Sequence, residues 1–196
     1  VFDDKFDYND VDETLLDELT KKSFSVINGD AEPKMRDEIE HFRMSQDSVG
    51  GVIECAAIGL PIGVGGNMFD TVESKLASIL FGVPAVKGVE FGLGFGFADK
   101  NASSVNDGYE IKDGKVALLS NNNGGVLGGM TTSAPIIVSA VIKPTPSISQ
   151  EQRSVNLQTM TNETLVIKGR HDPCIVPRAV PVIEAAVALG LLDLMI

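Results

Sequence analysis

From Ile175 to Ile196 the chain is almost continuously apolar, and this run limits the possible folds more than any other feature. Arg178, Glu184 and Asp193 interrupt it, and Pro177 and Pro181 stand near its start. Ionised groups are costly in hydrocarbon, so the run reads as a helix of a soluble domain rather than a membrane span. Val180, Ile183, Val187 and Leu191 recur at helical spacing from near Pro177 onward. The chain has 196 residues, 43% of them hydrophobic, enough for one packed domain over 1–196. It begins without Met at an acidic Val1-Phe2-Asp3-Asp4, and it stops inside a periodic apolar run. Both ends therefore read as cut, and no signal peptide is expected.

The remaining elements follow from periodicity and turn chemistry. Residues 10–21 read as a helix on Val11, Leu15 and Leu19, and 32–45 as a second on Met35, Ile39 and Phe42. A third spans 69–80, with Phe69, Val72, Leu76 and Ile79 in register. Residues 24–27, 50–60, 85–91 and 164–168 read as extended. Residues 109–119 read as a hairpin around Asp113-Gly114. Residues 135–142 suit either a strand or a buried helix. Residues 100–108 and 120–129 read as polar loops. Short turns between strands in the second half favour α+β with antiparallel sheets over a parallel doubly wound fold.

Charge and cysteine content narrow the function. A net charge of −11 argues against a general nucleic-acid binder, which needs a basic face. It leaves room for a small anionic ligand held by a few local cations. Cys55 and Cys174 both sit in apolar surroundings and read as buried thiols of a reducing compartment. A disulfide between them would require a spacing that sequence does not give.

Four segments could carry chemistry. Gly63-Val64-Gly65-Gly66 follows a strand and precedes a helix, but its spacing is not that of a dinucleotide loop, so it also reads as a plain turn. Asn121-Asn122-Asn123-Gly124-Gly125-Val126-Leu127-Gly128-Gly129 either bares its backbone to a ligand or is an exposed loop. In Lys143-Pro144-Thr145-Pro146-Ser147 a cation stands beside hydroxyls on a proline-stiffened backbone. That is a phosphate grip or a solvated strand exit. Gly169-Arg170-His171-Asp172-Pro173-Cys174 puts Arg170 and Asp172 on one side of an extended stretch, for a ligand or as a surface ion pair.

Read in chain order, these segments resemble chorismate synthase. Gln46-Asp47-Ser48-Val49-Gly50-Gly51, Pro84-Ala85-Val86-Lys87-Gly88-Val89-Glu90-Phe91-Gly92 and Val176-Pro177-Arg178-Ala179-Val180-Pro181 join the last three of them. The resemblance runs over 26–196, with 1–25 matched weakly, and implies the C-terminal half of a β-α-β sandwich with antiparallel sheets packed on helices. It implies a cytoplasmic lyase of aromatic amino acid biosynthesis that eliminates phosphate from enolpyruvylshikimate phosphate with the help of reduced FMN. The flavin would be reduced by a separate reductase or by the enzyme's own NADP-linked activity. A homotetramer is implied, with no nucleic-acid or membrane partner and no metal.

Residue by residue, the resemblance sets Pro84, Ala85 and Gly128 against the flavin and Lys143, Pro144, Thr145, Pro146 and Ser147 at its phosphate end. Arg170 would contact the flavin region, and Asp172 would be the catalytic carboxylate that helps move the substrate proton. These groups are expected to form one wall of one pocket. The family's two functional histidines belong to stretches that this sequence does not contain, and His41 and His171 do not match them. The 196 residues are therefore expected to be inactive alone. Two other readings are a non-catalytic half-domain that self-associates, and a nucleotide-binding domain using Gly63 to Gly66 with Glu90 on a ribose.

Overall fold

The computed structural model describes residues 2–169 and 171–196. Its first helix, α1 (Glu13–Thr20), is capped by Asp12, whose carboxylate accepts from the Leu15 amide at 2.8 Å. Helix α2 (Ala31–Met44) ends in a Schellman turn. There the Asp47 amide donates to Phe42 O at 3.0 Å and the Gln46 amide to Arg43 O at 3.3 Å, with Gln46 at φ 61°. That turn aims the chain into β1 (Gly51–Ala57). Helix α3 (Val72–Gly82) is capped by Thr71, whose hydroxyl accepts from the Ser74 amide at 3.0 Å.

Strand β2 (Val86–Phe91) follows, and then a 3-10 turn over Gly94–Asp99 and a short helix α4 (Ala102–Val105). Strands β3 (Tyr109–Lys112) and β4 (Lys115–Leu118) pair through Asp113 and Gly114, at φ 53° and 75°. Both signs are positive, as a two-residue type I′ turn requires. Strands β5 (Val126–Leu127) and β6 (Met130–Thr131) form a tiny second hairpin. Strand β7 (Ile136–Ile142), the hairpin of β8 (Gln152–Asn156) and β9 (Thr161–Leu165), and α5 (Val176–Met195) complete the chain.

Several boundaries differ from the sequence expectation. The third helix starts at Val72 rather than residue 69, because Thr71 takes the cap and Met68–Asp70 is a separate 3-10 turn. Residues 24–27 form no strand. The expected strand at 164–168 is instead the end of β9, and its partner β8 was not expected at all. β9 is exposed throughout and β8 is at most half-buried, so neither has a fully buried stripe to leave a period in the sequence. The loop 100–108 contains α4, and 120–129 contains β5 and the turn into β6. Of the two options for 135–142, the strand is the one formed.

The main sheet has the order β1-β7-β2, antiparallel throughout. Ile53, Ala140 and Val89 share one row, and Cys55, Val138 and Phe91 another. These rows face α3 and α5 and join their side chains in one core. Leu76, Leu80, Ile136, Val138, Ile142 and Ile183 are at most 1% exposed. Each contributes about 2 kcal/mol through burial. The helices pack closely at Gly190, where a Cβ would lie 2.7 Å from Leu76 Cδ2. On the opposite sheet face Glu54, Ser139 and Glu90 form a polar row.

α5 is apolar on its far side too. Val182, Ala185, Leu189, Leu192 and Ile196 recur at alternating spacings of three and four and are all exposed. Among the described residues no helix is long and apolar enough to cross a membrane.

Candidate functional site

The ends of three strands meet at one edge of the main sheet. Val83-Pro84-Ala85-Val86 is a turn closed by the Val86 amide donating to Val83 O at 3.3 Å. Proline at its second position and φ 73° at Ala85, its third, match type II, a turn that normally takes glycine there. The Ala85 carbonyl then accepts from the Lys143 amide at 2.9 Å, just beyond β7. Two residues on, the Thr145 carbonyl accepts from Ser48 Oγ at 2.7 Å. The Val49 amide donates to Pro173 O at 2.8 Å, which brings Asp172 to the same edge.

The groups at this edge are incompletely engaged. Among the described residues Lys143 has no carboxylate within salt-bridge distance. Thr145 Oγ1 is buried without a hydrogen-bond partner, as is Thr132 Oγ1 elsewhere. Such an orphan costs about 1–3 kcal/mol. Asp172 is paired with Arg178, in the first turn of α5. Arg178 was not expected in that role, and a separation of six residues across a helix start leaves no sequence signal. Arg170 lies outside the described residues. The His171 ring meets Ile167 O at 3.1 Å.

Gly128 stands apart from this edge. With Gly129 it forms the turn of the β5–β6 hairpin, at φ 60° and 84°. That hairpin is tied to the other end of β7 through Gly125, where a Cβ would lie 2.4 Å from Pro135 O. A seven-residue strand separates the two ends by roughly 20 Å. The structure thus brings Pro84, Ala85, residues 143–147 and Asp172 to one end of the main sheet and sets Gly128 toward the other.

The asparagine run is consumed internally. Asn121 Nδ2 donates to Pro135 O at 2.8 Å and Tyr8 O at 3.1 Å, while Oδ1 accepts from the Gly125 amide at 2.7 Å. Asn122 Nδ2 reaches Val105 O at 3.2 Å. Asp107 accepts from Ser120 Oγ, the Asn122 and Asn123 amides and Asn123 Nδ2, all within 2.9 Å. Burial alone would raise the Asp107 carboxyl, but these donors outweigh it and hold the group below its ordinary value.

The Gly63 to Gly66 loop is closed as well. The Gly63 amide donates to Thr131 O at 2.9 Å and the Gly66 amide to Asp70 O at 2.8 Å. Those two amides are not left for a phosphate.

Tyr8 and both cysteines are also displaced from their ordinary values. Burial, then the Glu54 carboxylate, pushes Tyr8 up to about 12. Its hydroxyl lies 3.2 Å from Glu54 and 3.0 Å from Gly92 O, two acceptors for one proton. Burial, then Glu184, pushes the Cys55 thiol up to about 12, and burial also raises Cys174. Both cysteines are free.

Comparison with known proteins agrees along most of the chain. The family model described as chorismate synthase matches residues 8–196. The chorismate synthase of Thermococcus kodakarensis is 52% identical over 159 residues, 81% of this chain and 45% of that protein. The one from Pyrococcus abyssi is 49% identical over 180 residues, 92% of this chain and 51% of that protein. A chorismate synthase crystal structure superposes with a TM-score of 0.69 at 28% identity, covering 86% of this chain and 44% of that one. The chain spans about half the length of the curated relatives it matches. On this evidence the chain belongs to the chorismate synthase family.

Proposed function

We propose that this chain is part of an enzyme that eliminates phosphate and a proton from enolpyruvylshikimate phosphate, giving chorismate, and that its sheet edge binds reduced FMN. The family match supports the reaction. The observation that carries the site is the pairing of Lys143, a cation without a carboxylate partner among the described residues, with the orphaned Thr145 hydroxyl. A phosphate monoester satisfies both: it neutralises the ammonium, and it offers an acceptor once Thr145 turns its hydroxyl outward by one rotamer step. The donor set therefore fits the phosphate end of FMN.

When bound, reduced flavin supplies transient electron density to an elimination that involves no net redox change. The chain's own residues do the placing. Lys143, Thr145 and Ser147 hold the anion, and Pro144 and Pro146 limit the backbone that presents them. Pro84 and Ala85 abut this segment through the Ala85–Lys143 hydrogen bond. Asp172, paired with Arg178, is the carboxylate that helps move the substrate proton. The exposed stripe of α5 supports assembly with further protein in the working enzyme, consistent with a homo-oligomer. The 196 residues are proposed to be inactive alone, since they correspond to half of a relative's length.

Two measurements test this. Lys143→Ala weakens FMN binding by about tenfold, the size of one lost charge-assisted contact, and leaves riboflavin binding unchanged. Equal affinities of the unaltered and Lys143→Ala chains for FMN would refute the site. Anaerobic assay with reduced FMN yields no chorismate from this chain, whereas turnover at the rate of a full-length relative would refute the inactivity.

A further inference from the structure

Residues 46–51, which lead into β1, make contacts that alternate between two partners. The even positions touch the segment after β7. Gln46 O accepts from the Ser149 amide at 3.3 Å, and Ser48 Oγ donates to Thr145 O at 2.7 Å. A Cβ on Gly50 would lie 2.3 Å from Ile142 O and 3.0 Å from Pro144 Cδ. Val49 and Gly51 touch the start of α5 and the residues leading into it. The Val49 amide donates to Pro173 O at 2.8 Å, and a Cβ on Gly51 would meet Val176 Cγ2 at 3.2 Å.

We propose that Ser48, at the centre of this clamp, is a positioning residue that sets residues 143–147 for the phosphate end of the flavin; the inference rests on the FMN reading above. Pro144 and Pro146 carry no backbone N–H, so they stiffen this segment without donating a hydrogen bond of their own. The Lys143 amide holds the start of the segment to Ala85 O, and the Thr145 carbonyl, with Ser48 as its donor, tethers its middle. Ser48 is 7% exposed, so the bond is shielded from competing water. Its own amide donates to Asp47 Oδ1 at 2.8 Å, which leaves the hydroxyl free to serve Thr145. Gly50 completes the clamp, because a side chain there would collide with the Ile142 carbonyl and crowd Pro144. The same stretch holds Pro173 through Val49, so one connector spaces the anion grip from the Asp172 carboxylate.

The test compares FMN with riboflavin, which differ only by the phosphate, in equilibrium binding to the 196-residue chain. Ser48→Ala lowers FMN affinity about fivefold and leaves riboflavin affinity unchanged, as expected for one lost hydrogen bond that acts through the grip. Ser48→Cys keeps the size and weakens the donor, so it gives the same selective loss and guards against a folding defect in the first variant. Loss of both affinities in parallel, or of neither, while Lys143→Ala still reduces the preference for FMN, overturns the role of Ser48. If Lys143→Ala leaves the preference intact, or the unaltered chain shows none, the flavin-phosphate reading itself fails and the inference falls with it.

Discussion

Two glycine- and proline-rich segments flank β7, and they treat their polar groups in opposite ways. Residues 121–125, before the strand, bond all three asparagine side chains to neighbouring backbone or to Asp107. Residues 143–147, after it, hold a lysine without a carboxylate partner among the described residues and a buried hydroxyl with no partner. In sequence both look like ligand loops. A polar group already bonded within the chain is scaffold, and one held short of its bonds is available to a ligand.

Three experiments press on that contrast. Asn121→Ala removes a buried side chain that makes three hydrogen bonds, and leaves the Pro135 and Tyr8 carbonyls and the Gly125 amide unsatisfied. It costs about 3 kcal/mol in urea unfolding, with the preference for FMN over riboflavin unchanged. A shifted preference would move the asparagine loop into the site.

The second concerns acid. The Asp107 carboxyl is held below its ordinary value, so its contribution is fully present above the unfolded value, about 4. It is lost as pH falls through the lower folded value. Thermal midpoints measured between pH 6 and pH 2 fall more steeply for the unaltered chain than for Asp107→Asn, which cannot titrate. Parallel curves would mean that the carboxylate holds nothing in place.

The smallest effect is at the site end. Ala85→Gly relieves the positive φ of the Pro84–Ala85 turn and stabilises the chain by about 0.5 kcal/mol after the entropy cost of glycine. Loss of stability there would show that the alanine methyl makes a contact of its own.

The sequence is legible wherever a helical period or a turn signal stands out. α2, α3 and α5 were found from apolar residues at helical spacing, and the β3–β4 hairpin from its Asp-Gly turn. β8–β9 was missed because neither strand has a buried face, and β5–β6 because two residues per strand leave no period. Within the proposed site, residues 143–147 and Asp172 stand out by residue type. Ser48 did not, although it stands in a conspicuous stretch ending in two glycines. What marks it is a hydrogen bond across 97 positions of chain, and no local pattern encodes such a contact. Gly128 enters only through the family resemblance, and in the structure its positive φ serves the β5–β6 hairpin turn.

The outward stripe of α5 bears on how the protein can be handled. A helix with one wet face tolerates concentration, but Leu189, Leu192 and Ile196 meet water at 63%, 54% and 97% exposure. A surplus of eleven negative charges keeps copies apart at low ionic strength, and added salt removes that repulsion while strengthening the attraction between stripes. Solubility of the purified chain is therefore set by the salt in the buffer, highest where ionic strength is low and falling as sulfate or phosphate is raised.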